Sequence, residues 1–183
     1  MPNYLRSYVP GGTFFFTIVT QERRRILTTA LARMLLRDSI AEELEVAPFA
    51  LDAIVLLPDH LHAVWTLPEG DTDYSTQWRR IKERFTRRYL ANGGAEASRT
   101  IARVIKGERG IWQPRFWEHT IRDESDLERC IDYLHFNPVK HGLVATVRDY
   151  PWSTFHRFVE RGIYPHDWGD GQETHPMHGA EWD

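Results

Sequence analysis

One cysteine, Cys130, is all that the 183 residues contain. A lone thiol closes no intramolecular disulfide and builds no Cys-rich zinc site, and a reducing cytoplasm is the setting it fits. No apolar run approaches the length of a membrane span, and residues 1–10 hold no apolar leader segment, so neither insertion nor export is expected. No Gly-rich phosphate loop is present, which leaves nucleoside triphosphate hydrolysis without support. Net positive charge is missing too. The formal charge of -3 rules out a uniformly basic coat but leaves room for a basic face. There is no internal repeat. Aromatics, by contrast, are plentiful: seven Trp, seven Tyr and nine Phe are more than a small core needs. The surplus has two readings, extra packing or base stacking.

The pattern along the chain is that of one domain over residues 1–168. Residues 13–19 (TFFFTIV) read as a buried strand after the Gly11-Gly12 turn. Thr28 or Thr29 caps a helix to about residue 45, with Leu31, Met34, Leu35 and Ile40 facing inward. Residues 49–57 and 60–67 form a hairpin across Pro58-Asp59. Asp73 or Ser75 caps a second long helix, in which Trp78, Ile81, Phe85 and Tyr89 recur at helical spacing. Residues 91–110 lack periodicity and read as a mobile internal loop. A fourth strand follows at 116–121, then a helix from 124 to about 137 that Pro138 ends. From residue 169 to 183 the chain turns polar and reads as a frayed tail. This order predicts an α+β, ferredoxin-like split βαβ fold, an antiparallel sheet with helices packed on one face. Fold alone fixes no function.

Two clusters carry chemistry. Successive residues of a strand face opposite ways, so His60 and His62 share one face, and paired imidazoles are natural metal ligands. His-x-His also arises by chance, and needs a partner site to mean more. On the later helix, Leu127, Ile131 and Leu134 make the core stripe. At 3.6 residues per turn Tyr133 lies roughly 120° from that stripe and Asn137 roughly 80°. The two are i and i+4 neighbours, so one edge presents a phenol and an amide together. If that edge meets the His pair, Tyr133 is a nucleophile and Asn137 a third ligand; otherwise they are a packing tyrosine and a helix cap.

A third feature is the crowding of Arg79, Arg80, Lys82, Arg84, Arg87 and Arg88 into the helix around Trp78, opposed there by Glu83. Such a face either tracks phosphates or is simply solvated. Arg115 and Lys140 extend the basic candidates toward the tyrosine helix. His119 and His135 lie near the candidate site; His156, His166, His175 and His178 lack ligand spacing.

Taken jointly, Leu57-Pro58-Asp59-His60-Leu61-His62, then Trp65-Thr66-Leu67-Pro68, then Trp112-Gln113-Pro114-Arg115-Phe116-Trp117-Glu118-His119, then Tyr133 with Asn137-Pro138-Val139-Lys140-His141-Gly142, form a specific set. The set resembles the REP-associated tyrosine transposases, within the single-tyrosine His-hydrophobe-His superfamily. The resemblance runs from about Tyr4 to Trp168, with residues 91–110 longer than the family pattern. It implies a ferredoxin-like core and divalent-metal-dependent (Mg²⁺ or Mn²⁺) cleavage and transfer of single-stranded DNA at palindromic hairpins. It also implies Tyr133 as the nucleophile, His60, His62 and Asn137 as the ligands, and a cytoplasmic, nucleoid-associated protein, monomeric in preference to dimeric. Two other classes stand beside it: a hairpin-binding protein without catalysis, and an RNA-binding module on the same sheet.

Overall fold

The computed structural model describes residues 8–171. Three consecutive phenylalanines and a β-branched run, which pack well on a pleated surface, form the central strand β1 (Thr13–Val19). Helix α1 (Ala30–Val46) starts where Thr29 accepts a hydrogen bond from Ala32 N at 3.3 Å. Strands β2 (Ala50–Leu56) and β3 (His60–Thr66) form the hairpin. Helix α2 (Tyr74–Ala91) is capped by Asp73, and α3 (Ile101–Ile105) by Thr100. The edge strand β4 (Trp117–Thr120) precedes α4 (Glu124–Lys140), capped by Asp123, and the short α5 (Phe155–Glu160). The sheet runs β2-β3-β1-β4, with every neighbouring pair antiparallel. That order is the split βαβ arrangement read from the sequence.

One feature of the expected architecture is different: the helices occupy both faces. Phe14, Phe16, Ile18, Leu61, Ala63 and Trp65 form one core with α1 and α2. Phe15, Ala53, Val55 and Val64 form a second core, closed by Cys130 and Leu134 of α4. A sheet apolar on both faces needs a cover on both, since each fully buried large apolar side chain contributes about 1.5–3 kcal/mol. The near-continuous burial of β3 carries that signal.

Smaller differences have local causes. Met34 is exposed, and Leu36 takes its place in the core. Residues 91–110 contain α3, and Glu96 receives a two-pronged pair from Arg109 at 2.9 Å, which ties the segment to itself. Pro138 does not end α4. Its missing N–H falls in the last turn, where one lost bond is tolerated. The helix closes after Lys140 with Gly142 at φ 64°: Leu143 N donates to Pro138 O and Gly142 N to Val139 O, both at 2.9 Å. Of the tail, Gly169 is buried among Val147 and Phe136, and residues 172–183 lie outside the described part, as does Tyr4. Among the described residues no helix is long and apolar enough to cross a membrane.

Candidate active site

The site begins at the first residue of β3. Strand alternation sends His60 and His62 to the α4 side of the sheet, where both are buried and their rings lie 4.9 Å apart, centroid to centroid. Each imidazole has its Nδ1 engaged. Asp59 Oδ1 lies 2.7 Å from His60 Nδ1, and Thr17 Oγ1, directly across on β1, lies 2.9 Å from His62 Nδ1. An ionised carboxylate only accepts, so His60 Nδ1 is the donor to Asp59 and Nε2 is the ring nitrogen left for a ligand. Metal-ligating histidines are typically oriented by outer support of this kind. Burial alone would push the Asp59 carboxyl up, but hydrogen bonding and charge from His60 and Arg23 outweigh it and hold it down to about 2. Arg23 Nη1 is 3.3 Å from Asp59 Oδ2.

Helix α4 brings the second half. Tyr133 is half-buried, its ring 5.4 Å from that of His62 and 6.0 Å from that of Phe15. One turn on, Asn137 is fully buried. Among the described residues neither its amide oxygen nor its amide nitrogen has a hydrogen-bond partner, and His60 Nε2 has none either. Buried polar atoms are almost always satisfied, so this group asks for a guest. Imidazole nitrogens and an amide oxygen are neutral donors, suited to a divalent cation that keeps open positions for phosphate and water. The residues therefore fit the ion that the resemblance implies. Lys140, expected only as a DNA contact, has its Nζ 3.2 Å from Tyr133 Oη. The glycine closure after α4 also sets His141, whose ring is 5.2 Å from that of His60.

A second group of ligand types gathers nearby: His119, Asp126 and Cys130 offer atoms within 4.8 Å of one another. Its donors are already spent. His119 Nε2 and Asp126 Oδ2 are 2.8 Å apart, and Asp126 also accepts from Arg122 N and Arg129. Burial, with Asp126 alongside, pushes the Cys130 thiol up to about 12, which opposes the thiolate that a metal needs. His135 is a packing histidine, fully buried beside Thr154 and Phe158; burial, aided by Arg157 and His156, lowers it to about 3, so it stays neutral.

The basic helix goes elsewhere. α2 lies on the opposite face of the sheet from the His pair, and most of its cations are engaged. Arg80 and Arg84 meet the buried Glu43, Arg88 meets Glu42, Arg79 meets Glu83, and Lys82 donates to Gln113 O at 2.7 Å. Arg87 and Arg115 are exposed. Of the eight expected DNA contacts, the structure brings Lys140 to the tyrosine.

Two side chains that hold the His pair escaped the sequence reading. Asp59 reads as half of a turn, although an acid immediately before a candidate ligand histidine is a usable signal. Thr17 depends on the β1–β3 register, which the sequence does not reveal. Asp59→Asn is expected to weaken Mn²⁺ binding by roughly 10–100-fold, the usual cost of losing such a support, measured by calorimetric titration. The pH dependence has a definite sign. Because the folded carboxyl titrates below the ordinary aspartate range, Asp59 contributes stability above that range and loses it as pH falls toward about 2. The acid limb of the stability profile should flatten over that window in Asp59→Asn.

No protein-family model matches the chain. The curated REP-associated tyrosine transposase of Escherichia coli K12 is 46% identical over 168 residues, 92% of this chain and 91% of that one. A putative REP-associated tyrosine transposase of Haemophilus influenzae is 44% identical over 169 residues, 92% and 94% of the two chains. A solved structure of a REP-associated tyrosine transposase bound to a REP hairpin superposes with a TM-score of 0.78 at 45% identity, over 96% of each chain.

Proposed function

Because the chain belongs to the REP-associated tyrosine transposases, we propose that it cleaves and rejoins single-stranded DNA beside palindromic hairpins. Tyr133 is the nucleophile in this reading, and His60, His62 and Asn137 hold a divalent cation, Mg²⁺ or Mn²⁺. The observation that carries the reading is the meeting of a strand-borne His pair and a helix-borne phenol, with His60 Nε2 and the Asn137 amide oxygen buried and without hydrogen-bond partners among the described residues. The hairpin partner is supported by the relative solved with a REP hairpin.

Tyr133 Oη bonds to phosphorus as the bond from phosphorus to O3′ breaks, which leaves a 3′-hydroxyl and a 5′-phosphotyrosine. The covalent link conserves the bond energy, so another 3′-hydroxyl can displace the tyrosine without ATP. A bound cation supplies charge neutralisation and orientation at a non-bridging phosphate oxygen. Free tyrosine titrates near 10, so its oxygen needs help to attack at neutral pH. Lys140 sets a positive charge where that oxygen sheds its proton. Asp59 and Thr17 keep the imidazoles turned toward the phosphate side. The test is peptide mapping of protein incubated with Mn²⁺ and a hairpin carrying single-stranded arms. A nucleotide on the peptide containing Tyr133 supports the proposal; a nucleotide on another residue, or none, overturns it.

Nucleophile and ligands sit in one chain, so a single copy has all the parts. Mixing Tyr133→Phe protein with His62→Ala protein is therefore expected to restore no cleavage in a gel assay. Recovery of activity would show that tyrosines are exchanged between copies.

A further inference from the structure

The cations of α2 are largely committed to acids of α1 and of α2 itself, yet a strand lying in the site needs its phosphates held near His60 and Tyr133. The connection between β1 and α1 passes along that edge. Val19, the last residue of β1, pairs with His60, and Thr20 N donates to Asp59 O at 2.9 Å. The chain then makes a tight turn, Gln21–Arg23, in which Glu22 (φ 58°) and Arg23 (φ 48°) both adopt the left-handed conformation. Non-glycine residues rarely do so in succession, and strain of this kind concentrates at working sites. Thr20 Oγ1 braces the turn, 2.8 Å from Asp59 O and 2.9 Å from Arg24 O.

The turn aims its arginines differently. Arg24 is tied to Ala95 O at 2.8 Å. Arg23 reaches Asp59 with one guanidinium nitrogen while its side chain stays 42% exposed, leaving donors of its planar fork toward solvent. Arg25 is exposed, and two residues on, Leu27 N donates to Pro58 O at 2.9 Å, which holds this stretch against the corner of the hairpin. Further along, the Arg33 guanidinium lies 3.6 Å from the ring centroid of Trp152, whose carbonyl accepts from Leu56 N. The tip of the β2–β3 hairpin, which carries Asp59 and His60, is thus rimmed by Arg23, Arg25 and Arg33. Glu22, exposed on the same turn, is the acid that tempers them.

We infer that this rim is the phosphate-binding surface for the single-stranded arm of the substrate, with Arg23 and Arg25 each holding a backbone phosphate next to the one at the metal site. The inference rests on the proposed DNA-cleaving function and adds where the strand runs. Arg23 has two duties: it steadies Asp59, and through Asp59 the ligand His60, and it takes a phosphate with its remaining donors. The β1–α1 connection, not α2, then carries the electrostatic share of binding.

The experiment measures affinity for a palindromic hairpin with single-stranded arms by fluorescence anisotropy over a range of salt concentrations. All proteins carry Tyr133→Phe, so that nothing is cleaved. Each lost contact to a single strand lowers the slope of log K against log salt by about 0.7. Arg23→Gln and Arg25→Gln are each expected to lower it by that amount, Arg23→Lys to keep it, and Arg37→Gln, exposed on α1, to leave it alone. Thermal melting checks that each variant is folded, and Arg25→Gln, which touches neither Asp59 nor His60, decides if Arg23→Gln unfolds. Unchanged slopes in both glutamine variants overturn the inference while hairpin binding itself persists. A drop in Arg87→Gln instead would route the strand over α2. A change confined to Mn²⁺ affinity in Arg23→Gln would reduce Arg23 to a partner of Asp59. Absence of binding by the parent protein overturns the inference together with the function on which it rests.

Discussion

Tyr133→Phe is expected to form no covalent adduct with hairpin DNA, while its affinity for the same DNA stays within about twofold of the parent's. The change removes one oxygen and leaves the ring against Phe15 and His62, so packing and the ion site should survive. Lys140 loses the hydroxyl 3.2 Å from its ammonium group but keeps its charge for DNA. Loss of an essential nucleophile costs roughly 10⁴-fold or more, which places residual cleavage at background in a gel assay. Retained adduct in the Phe variant would move the nucleophile elsewhere in the chain. A matching loss of hairpin affinity would mean instead that the phenol serves binding.

His60→Ala is expected to lower the cleavage rate on the order of 10³-fold, about 4 kcal/mol of charge stabilisation at the phosphate, with hairpin affinity largely kept. A second readout separates ligation from packing. His60 Nε2 and the Asn137 amide oxygen are buried without partners among the described residues, so a cation that binds both should stabilise the fold. At a concentration about 100 times its dissociation constant, an ion that binds the folded state alone adds about 2.7 kcal/mol. The wild-type melting temperature should therefore rise with Mn²⁺, and that of His60→Ala should not. An equal rise in both would place the ion at another set of donors. Loss of binding along with cleavage would make the His pair a structural element.

Much of the fold was legible where period and punctuation agree. The TFFFTIV run, the Pro58-Asp59 corner and the caps Thr29 and Asp73 each announce their elements through local chemistry. The face that α4 takes was not legible. Its leucine stripe says that the helix packs but not on which side of the sheet, and only a sheet apolar on both faces settles that. The partners of the basic helix were not legible for a related reason. Glu42 and Glu43 lie 37 or more residues from the arginines they meet, and pairing at that separation leaves no local signature. Within the site, His60 and His62 followed from strand alternation, and the shared edge of Tyr133 and Asn137 from helical spacing. Thr17 stayed hidden, because it depends on strand register, and Asp59 was absorbed into a turn. Pro138 shows the limit of punctuation: a proline in the last turn costs one hydrogen bond, and Gly142, rather than the proline, fixes where α4 ends and where Lys140 points.

The central claim is spatial, and crystals soaked in Mn²⁺ test it most directly through the anomalous signal of the metal. The account predicts one strong peak at coordination distance from His60 Nε2, His62 Nε2 and the Asn137 amide oxygen, beside the ring of Tyr133. A peak at His119, Asp126 and Cys130 instead, or none near the His pair in crystals with hairpin DNA bound, would contradict it.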